Sequence, residues 1–258
     1  VIRSSSNLLF QICSFFLFAL KVIIFIRKNK YDAVYASSSR LMTAVLGAFI
    51  ANKKKSVLYI DLRDLFLDVL KNSNYVLYFL LFPILQSFES FVFKKAKKIN
   101  LVSEGFKDYL EYKFPKSKFV FFSNGIDDIF VENSKKTKKT KKTNCLKKSE
   151  KIKVLYAGNI GYGQALDKIL PQMAHKLKKT HDFYVIGDGS EKNLLLSSLK
   201  KLDIENVFVR NPVKREDLVK KYYEADILFL HLNNTKAFEK VLPSKIFEYA
   251  SMNKPILA

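Results

Sequence analysis

Along the chain, short apolar and β-branched runs alternate with longer stretches of helical period. In the first half "YDAVYAS" (31–37), "SVLYID" (56–61), "INLVS" (99–103) and "FVFFS" (119–123) read as strands, each closing on a polar residue where a loop must begin. Helical patterns occupy 40–52 and 65–98, the second broken near Pro83 inside "YVLYFLLFPIL". The second half repeats the alternation, with strands "IKVLYAG", "DFYVIG", "NVFV", "DILFLHL" and "PILA" and helices over 164–179, 191–202, 215–224 and 243–252. Strands and helices in regular alternation predict parallel sheets covered by helices, and the second half has the arrangement of a doubly wound sheet. Ligands of such sheets collect at the carboxyl ends of the strands.

Two segments break the pattern. Residues 8–26, "LLFQICSFFLFALKVIIFI", approach the length of a membrane span but carry Gln11, Ser14 and Lys21. On a helical wheel these residues, with Asn7 and Lys28, share roughly 100° of arc. The segment therefore reads as a helix packed inside an α/β domain, ahead of a helix lying in a membrane surface. From 134 to 150 the texture becomes "SKKTKKTKKTNCLKKSE", with no aromatic residue and nothing to bury, which marks a linker. It separates an expected first domain, 1–133, from a second, 151–258.

Composition narrows the setting. The 45 basic and 24 acidic residues give a net charge of +21, which attracts nucleic acid, anionic lipid or a polyanionic substrate without choosing among them. The two cysteines, Cys13 and Cys145, have no paired spacing, so neither a disulfide framework nor a zinc site is expected, and a reducing compartment is. The chain opens on Val1 and closes on the apolar run "KPILA", as expected of a piece of a longer protein with both domains truncated.

Three strand ends carry candidate chemistry. "YAGNIGYGQALDK" (156–168) follows a strand and leads into a helix, and Gly158, Gly161 and Gly163 would let backbone approach a phosphate or sugar. It is not the dinucleotide fingerprint, because the Gly-x-Gly-x-x-Gly spacing is missing. "VIGDGSEKNLL" puts Gly187, Asp188 and Gly189 after the next strand, at the same edge. In "LPSKIFEYAS", Pro243 is tolerated only in a first helical turn, where free N–H groups and the dipole suit a diphosphate. Lys245 adds a full charge there, and Glu248, one turn on, offers a carboxylate to ribose hydroxyls. An isolated K-x-x-E would be an ordinary exposed pair; three anion-ready strand ends at one edge favour a site.

The ordered set "SNGIDDIF", "YAGNIGYGQ", "IGDG" and "LPSKIFEYA...KPILA" resembles the family 4 glycosyltransferases of the GT-B fold, particularly those of bacterial surface polysaccharide assembly. A weaker likeness, "YDAVYASSSRLMTAVLGAFIA...DLRDLF", extends over most of the first half. The resemblance implies two Rossmann-like domains facing across a cleft, acceptor in the first and nucleotide-sugar donor in the second. It implies retaining transfer with no cofactor and no metal, in which the departing phosphate takes the acceptor proton. Glu248 matches the ribose-holding glutamate, 242–245 (including Pro243 and Ser244) the segment around donor diphosphate and sugar, and Gly158 the glycine beneath the phosphates. Where many relatives carry an arginine and a lysine as diphosphate clamps, this chain has Asn159 and Gln164. Where many carry an acid eight positions before the ribose glutamate, it has Lys240. Lys245 or Lys240 is then expected to stabilise the leaving diphosphate. All three histidines, His175, His181 and His231, lie in the second half. Arg63 and Asp64 thus stand on the acceptor side where the family often has a histidine, though "DLRDL" reads equally as a helix cap.

The expected partners are a nucleotide-diphosphate sugar, a lipid-linked sugar or polysaccharide acceptor, and an anionic membrane surface. The expected place is the cytoplasm, including peripheral attachment to the inner face of the plasma membrane. One rival is a basic nucleic-acid binder, disfavoured because the lysine run has no aromatic residues on which bases could stack. Another is a nucleotide-sugar epimerase or hydrolase of the same architecture, which would need acid/base groups in the cleft.

Overall fold

A computed structural model of the protein describes residues 8–67, 75–137, 151–236 and 238–258. The expected linker lies outside the described residues from 138 onward. The chain divides into two units, 1–123 with 235–242, and 124–234 with 243–258.

In the first unit the order is α1 (Leu8–Ile26), β1 (Ala33–Ser38), α2 (Leu41–Lys54), β2 (Val57–Leu62), α3 (Tyr75–Lys95), β3 (Ala96–Leu101), a 3-10 turn (Glu104–Phe106), α4 (Lys107–Lys113) and β4 (Phe119–Phe121). The four strands pair in parallel in sequence order. Alternate side chains Leu58, Ile60, Ile99 and Leu101 are buried in one apolar cluster with Ala44, Ala48 and Ala51, the small residues of α2. Gly47 completes that face: a Cβ there would stand 2.8 Å from the Cβ of Ala36, so the close seat of α2 on β1 requires glycine. Lys55 ends α2 in the left-handed region at φ 55°, its N–H bonded to the carbonyls of Ala51 and Asn52.

Three sequence expectations shift here. Of the long helix expected over 65–98, Phe66 and Leu67 are helical, 68–74 lie outside the described residues, and α3 stops at Lys95 because the chain joins the sheet at Ala96 rather than at Ile99. Residues 104–113, left without an element by the pattern, form the 3-10 turn and α4 around buried Phe106 and Leu110. And α1 forms where periodicity puts it but is not enclosed as a core helix among the described residues: Phe16, Leu17, Ile24 and Phe25 are 66%, 54%, 63% and 77% exposed. No described helix is long and apolar enough to cross a membrane.

The second unit runs α5 (Asp128–Thr137), β5 (Ile152–Asn159), α6 (Leu166–Lys176), β6 (His181–Asp188), α7 (Lys192–Lys201), β7 (Val207–Arg210), α8 (Arg215–Glu224), β8 (Ile227–Phe229), α9 (Lys245–Ser251) and β9 (Ile256–Leu257). Its five strands are parallel in the order β7-β6-β5-β8-β9, so the chain winds outward from β5 in both directions. Strand β5 is buried on both faces: Val154 and Tyr156 enter one apolar cluster, Leu155 and Ala157 the other. Although its last residues, 134–137, open the lysine-rich run, α5 belongs to this unit, because Phe130 is fully buried and stacks on Tyr222 at 5.9 Å. The order reverses at β5, where a doubly wound sheet opens its ligand crevice.

Candidate functional site

At the carboxyl edge of the second sheet the glycine motifs stand side by side, with Gly158 opposite Gly187 and Asn159 opposite Asp188. A side chain on Gly187 would run into the Gly158 carbonyl oxygen, and one on Gly189 into that of Ile160. Backbone bonds tie the loops together, Ile160 N–H to the Asp188 carbonyl at 2.9 Å and Glu191 N–H to the Ile160 carbonyl at 2.9 Å. These two glycines therefore serve the knitting of adjacent strand ends. Beside them lies a cavity of about 350 Å³ lined by Gly158, Asn159, Gly187, Asp188, Val213 and Lys245.

Lys245 reaches this cavity from α9. Its chain lies over Gly158, where an added Cβ would be 2.6 Å from Cε and 3.3 Å from Nζ. The expected helix start at Pro243 moves to Lys245: the first turn is closed by Ile246 N–H to the Pro243 carbonyl at 3.1 Å and Phe247 N–H to the Ser244 carbonyl at 3.2 Å. Ser244 makes no side-chain capping bond. Two first-turn donors are thus spent within the seven-residue helix's own start, and the ammonium of Lys245 supplies the charge. Burial pushes the Lys245 pKa down, Glu248 opposes the shift, and the Arg215 guanidinium adds to it.

Glu248 Oε2 stands 4.0 Å from Lys245 Nζ and accepts the Tyr222 hydroxyl at 2.9 Å, while Oε1 accepts from Arg215 at 3.3 Å. Arg215 also pairs with Asp127 at 2.8 Å and lies over the Phe130 ring at 5.6 Å. Tyr222 crosses Tyr249 edge to face at 5.3 Å, and the Tyr249 hydroxyl accepts from Ala157 N–H and donates to the Phe229 carbonyl. Burial, with Tyr249 and Glu248 alongside, pushes the Tyr222 phenol far up, which keeps it a donor to the carboxylate. This cradle fixes Glu248 yet leaves it acceptor capacity, since a carboxylate offers about four lone-pair sites.

Asn159 and Gln164 meet each other, Nδ2 to Oε1 at 2.8 Å. Their loop is held from the β8 side: His231 Nδ1 is 2.8 Å from the Gln164 carbonyl, and Asn233 bonds the carbonyls of Gly163 at 2.8 Å and Tyr162 at 3.1 Å. Asp188 accepts Gly189 N–H at 3.0 Å and sits 3.7 Å from Lys192. The places of Arg215, Tyr222, His231 and Asn233 at this site are not expected from the sequence. Only "HLNN" directly after a strand offered a signal.

In the first unit the corresponding edge centres on Asp61. Register puts Ser37, Asp61 and Asn100 abreast, and the buried Asp61 accepts from Ser37 Oγ and Asn100 Nδ2, each at 2.7 Å. Arg63 lies 3.9 Å from the same carboxylate. Asp64 is held above the usual carboxylate range by burial, against the pull of Ser39 and Arg63. Lys240 belongs to this unit: its ammonium lies 4.8 Å from the Tyr109 ring centroid and its carbonyl accepts the Ser103 hydroxyl. Sequence nearness to Lys245 suggested a shared duty, but the 3-10 turn Phe238–Lys240 carries Lys240 onto α4. Asp61→Ala is expected to cost about 2 kcal/mol in a denaturant titration by stranding two donors, with Asp61→Asn costing less.

Among the described residues no group of three or more His, Cys, Asp or Glu could hold a metal ion. No protein-family model matches the sequence, and no curated protein sequence matches it significantly. Solved structures do. Anabaena Alr3699/HepE, determined with UDP and glucose, superposes with TM-score 0.64 at 15% identity, over 98% of this chain and 64% of that one. The α,α-trehalose-phosphate synthase (UDP-forming) of Burkholderia xenovorans, determined with glucose-6-phosphate, gives 0.63 at 11%, over 93% and 60%. A glycosyltransferase of Rickettsia africae gives 0.56 at 16%, over 99% and 64%.

The fold is GT-B. The chain spans about six-tenths of the length of these GT-B proteins, 64% and 60% for the first two described. In GT-B terms the two parallel sheets are its Rossmann-like halves, and the cavity under Lys245 lies at the strand ends of the second.

Proposed function

We propose that the protein is a retaining glycosyltransferase that moves a sugar from a nucleoside-diphosphate sugar to a lipid-linked or polysaccharide acceptor in cell-envelope glycan synthesis. The observation that carries this reading is Lys245 laid over Gly158 at the carboxyl edge of β5, with Glu248 one helical turn away in its Tyr222–Arg215 cradle. In it the donor diphosphate occupies the cavity beside Gly158 and Gly187, Lys245 meets its charge, and Glu248 accepts ribose hydroxyls. Asn159 and Gln164 part from each other to donate to phosphate oxygens. The departing diphosphate takes the acceptor proton, so no dedicated base is required, and Arg63 and Asp64 face the acceptor. The second unit is the donor half and the first the acceptor half, working at the cytoplasmic face of an anionic membrane, with neither metal nor cofactor. That HepE was determined with UDP supports UDP as the first nucleotide to try.

A thermal-shift screen of nucleotide sugars tests it. A true donor at a hundredfold its Kd stabilises the native state by about 2.7 kcal/mol, or roughly 5–10 °C for a chain of this size. No shift with any nucleotide or nucleotide sugar would overturn the reading. Conversion of the nucleotide sugar in the absence of acceptor would instead mark an epimerase or hydrolase.

A further inference from the structure

The first unit carries a second cavity, at the opposite edge of its sheet from Asp61. It is a groove of about 1220 Å³ between the end of α3, the start of β3 and the turn joining α4 to β4. Phe93 and Phe114 stack at 4.3 Å along it, and Lys113 is anchored by a 2.6 Å ion pair to buried Glu89. Lys94, Lys97, Lys116 and Lys118 line it as well, all exposed, and none of them takes part in an ion pair among the described residues.

An apolar stripe runs along α3 up to this groove. Val76, Leu80, Ile84, Phe88 and Phe91 are 69%, 68%, 53%, 37% and 39% exposed. At helical spacing they fall within about 120° of arc, and Phe91 itself lines the groove. An exposed apolar stripe ending among unpaired cations has the make-up of a helix that lies in a lipid interface, with apolar side chains at the acyl boundary and ammonium groups at headgroup phosphates. A single-strand groove would present several aromatic faces to the bases, whereas here Phe93 is fully buried and stacked on Phe114, and Phe91 is 39% exposed.

We propose that α3 and the lysine-lined groove dock the protein on an anionic phospholipid surface. This deepens the proposed function, resting on its membrane-facing part.

The test is sedimentation of the whole chain with phosphatidylcholine vesicles, with and without about 30% phosphatidylglycerol, at about 0.1 M salt. Binding is expected to require the anionic lipid. Reversing Lys94, Lys97, Lys116 and Lys118 to glutamate is expected to weaken it about tenfold or more, and Leu80→Ser with Ile84→Ser by a similar factor. Reversing exposed Lys176, Lys178, Lys179 and Lys200 of the second unit should change it less than about threefold. Equal losses from both lysine sets would overturn the assignment, as would groove-dependent binding of a single-stranded RNA oligonucleotide with no vesicle binding. The UDP thermal shift of each variant separates the two readings. Lost vesicle binding with the shift intact in the wild type counts against the docking surface. An absent shift with groove-dependent vesicle binding counts against the donor site alone and supports the surface.

Discussion

Replacing Lys245 with alanine is expected to lower sugar-transfer turnover by about 10²–10³-fold, whereas Lys240→Ala lowers it by no more than about threefold. The difference follows from placement. Lys245 lies over Gly158 beside the strand-end cavity, while the ammonium of Lys240 lies over Tyr109. With Asn159 and Gln164 in place of cationic clamps, Lys245 is the only lysine or arginine lining that cavity among the described residues. Equal and mild losses in the two variants would refute the assignment. The pH profile adds a sharper readout. Burial lowers the folded pKa of Lys245 below its unfolded value near about 10.4. Between those two values the unfolded chain binds more protons, so the stability penalty of the buried charge is full below the folded pKa and fades as pH rises through the window. A bound diphosphate favours the charged form, so binding takes up a proton there. Donor affinity is therefore expected to fall with rising pH, by at most about tenfold per pH unit, from a point below the ordinary lysine range. Lys245→Met should flatten that slope, and an unchanged slope would assign the titration elsewhere.

How far the site could be read in advance depended on how local its determinants are. The unbroken apolar run Val154–Ala157 within "IKVLYAG" is enough to give β5, because a strand buried on both faces is apolar at successive positions. Gly158, Gly187 and Lys245 were legible because each sits where a strand ends or a helix begins, and those junctions leave marks in the sequence. Arg215 and Tyr222 were not. They precede Glu248 by 33 and 26 positions, and only the docking of α8 against α9 brings them to its carboxylate. Asp61 was hidden for a related reason: its partners come from two neighbouring strands, and a register shift of one residue would separate all three. Lys240 shows the converse, a residue five positions from Lys245 that the chain turn sends into the other unit. At "FKKAKKINL" helix gives way to strand with no glycine or proline between, so Ala96 could not be told from a last helical turn.

Gly187→Ala is expected to destabilise the second unit by about 3 kcal/mol or more, a melting shift of roughly 6–12 °C, whereas Gly158→Ala costs under about 1 kcal/mol. Both glycines stand at the same edge and register, yet what a side chain would meet differs. At Gly187 the obstacle is the carbonyl of Gly158, main chain held in the β5–β6 ladder, so relief requires the two strands to part. At Gly158 the nearest obstacle is the outer half of the Lys245 side chain, 2.6 Å away at Cε, which can swing aside by changing rotamer. The Tyr156 hydroxyl, at 3.1 Å, must also give slightly. Displacing Lys245 leaves the fold intact but moves the ammonium from its place beside the cavity. Gly158→Ala should therefore weaken UDP binding about tenfold while melting close to the wild type, a loss of one charge-assisted contact. Gly187→Ala should lose binding and stability together. If Gly158→Ala instead unfolded the protein as readily as Gly187→Ala, the glycine would be a packing residue like its neighbour, and the case for Lys245 as the group that meets the diphosphate would weaken with it.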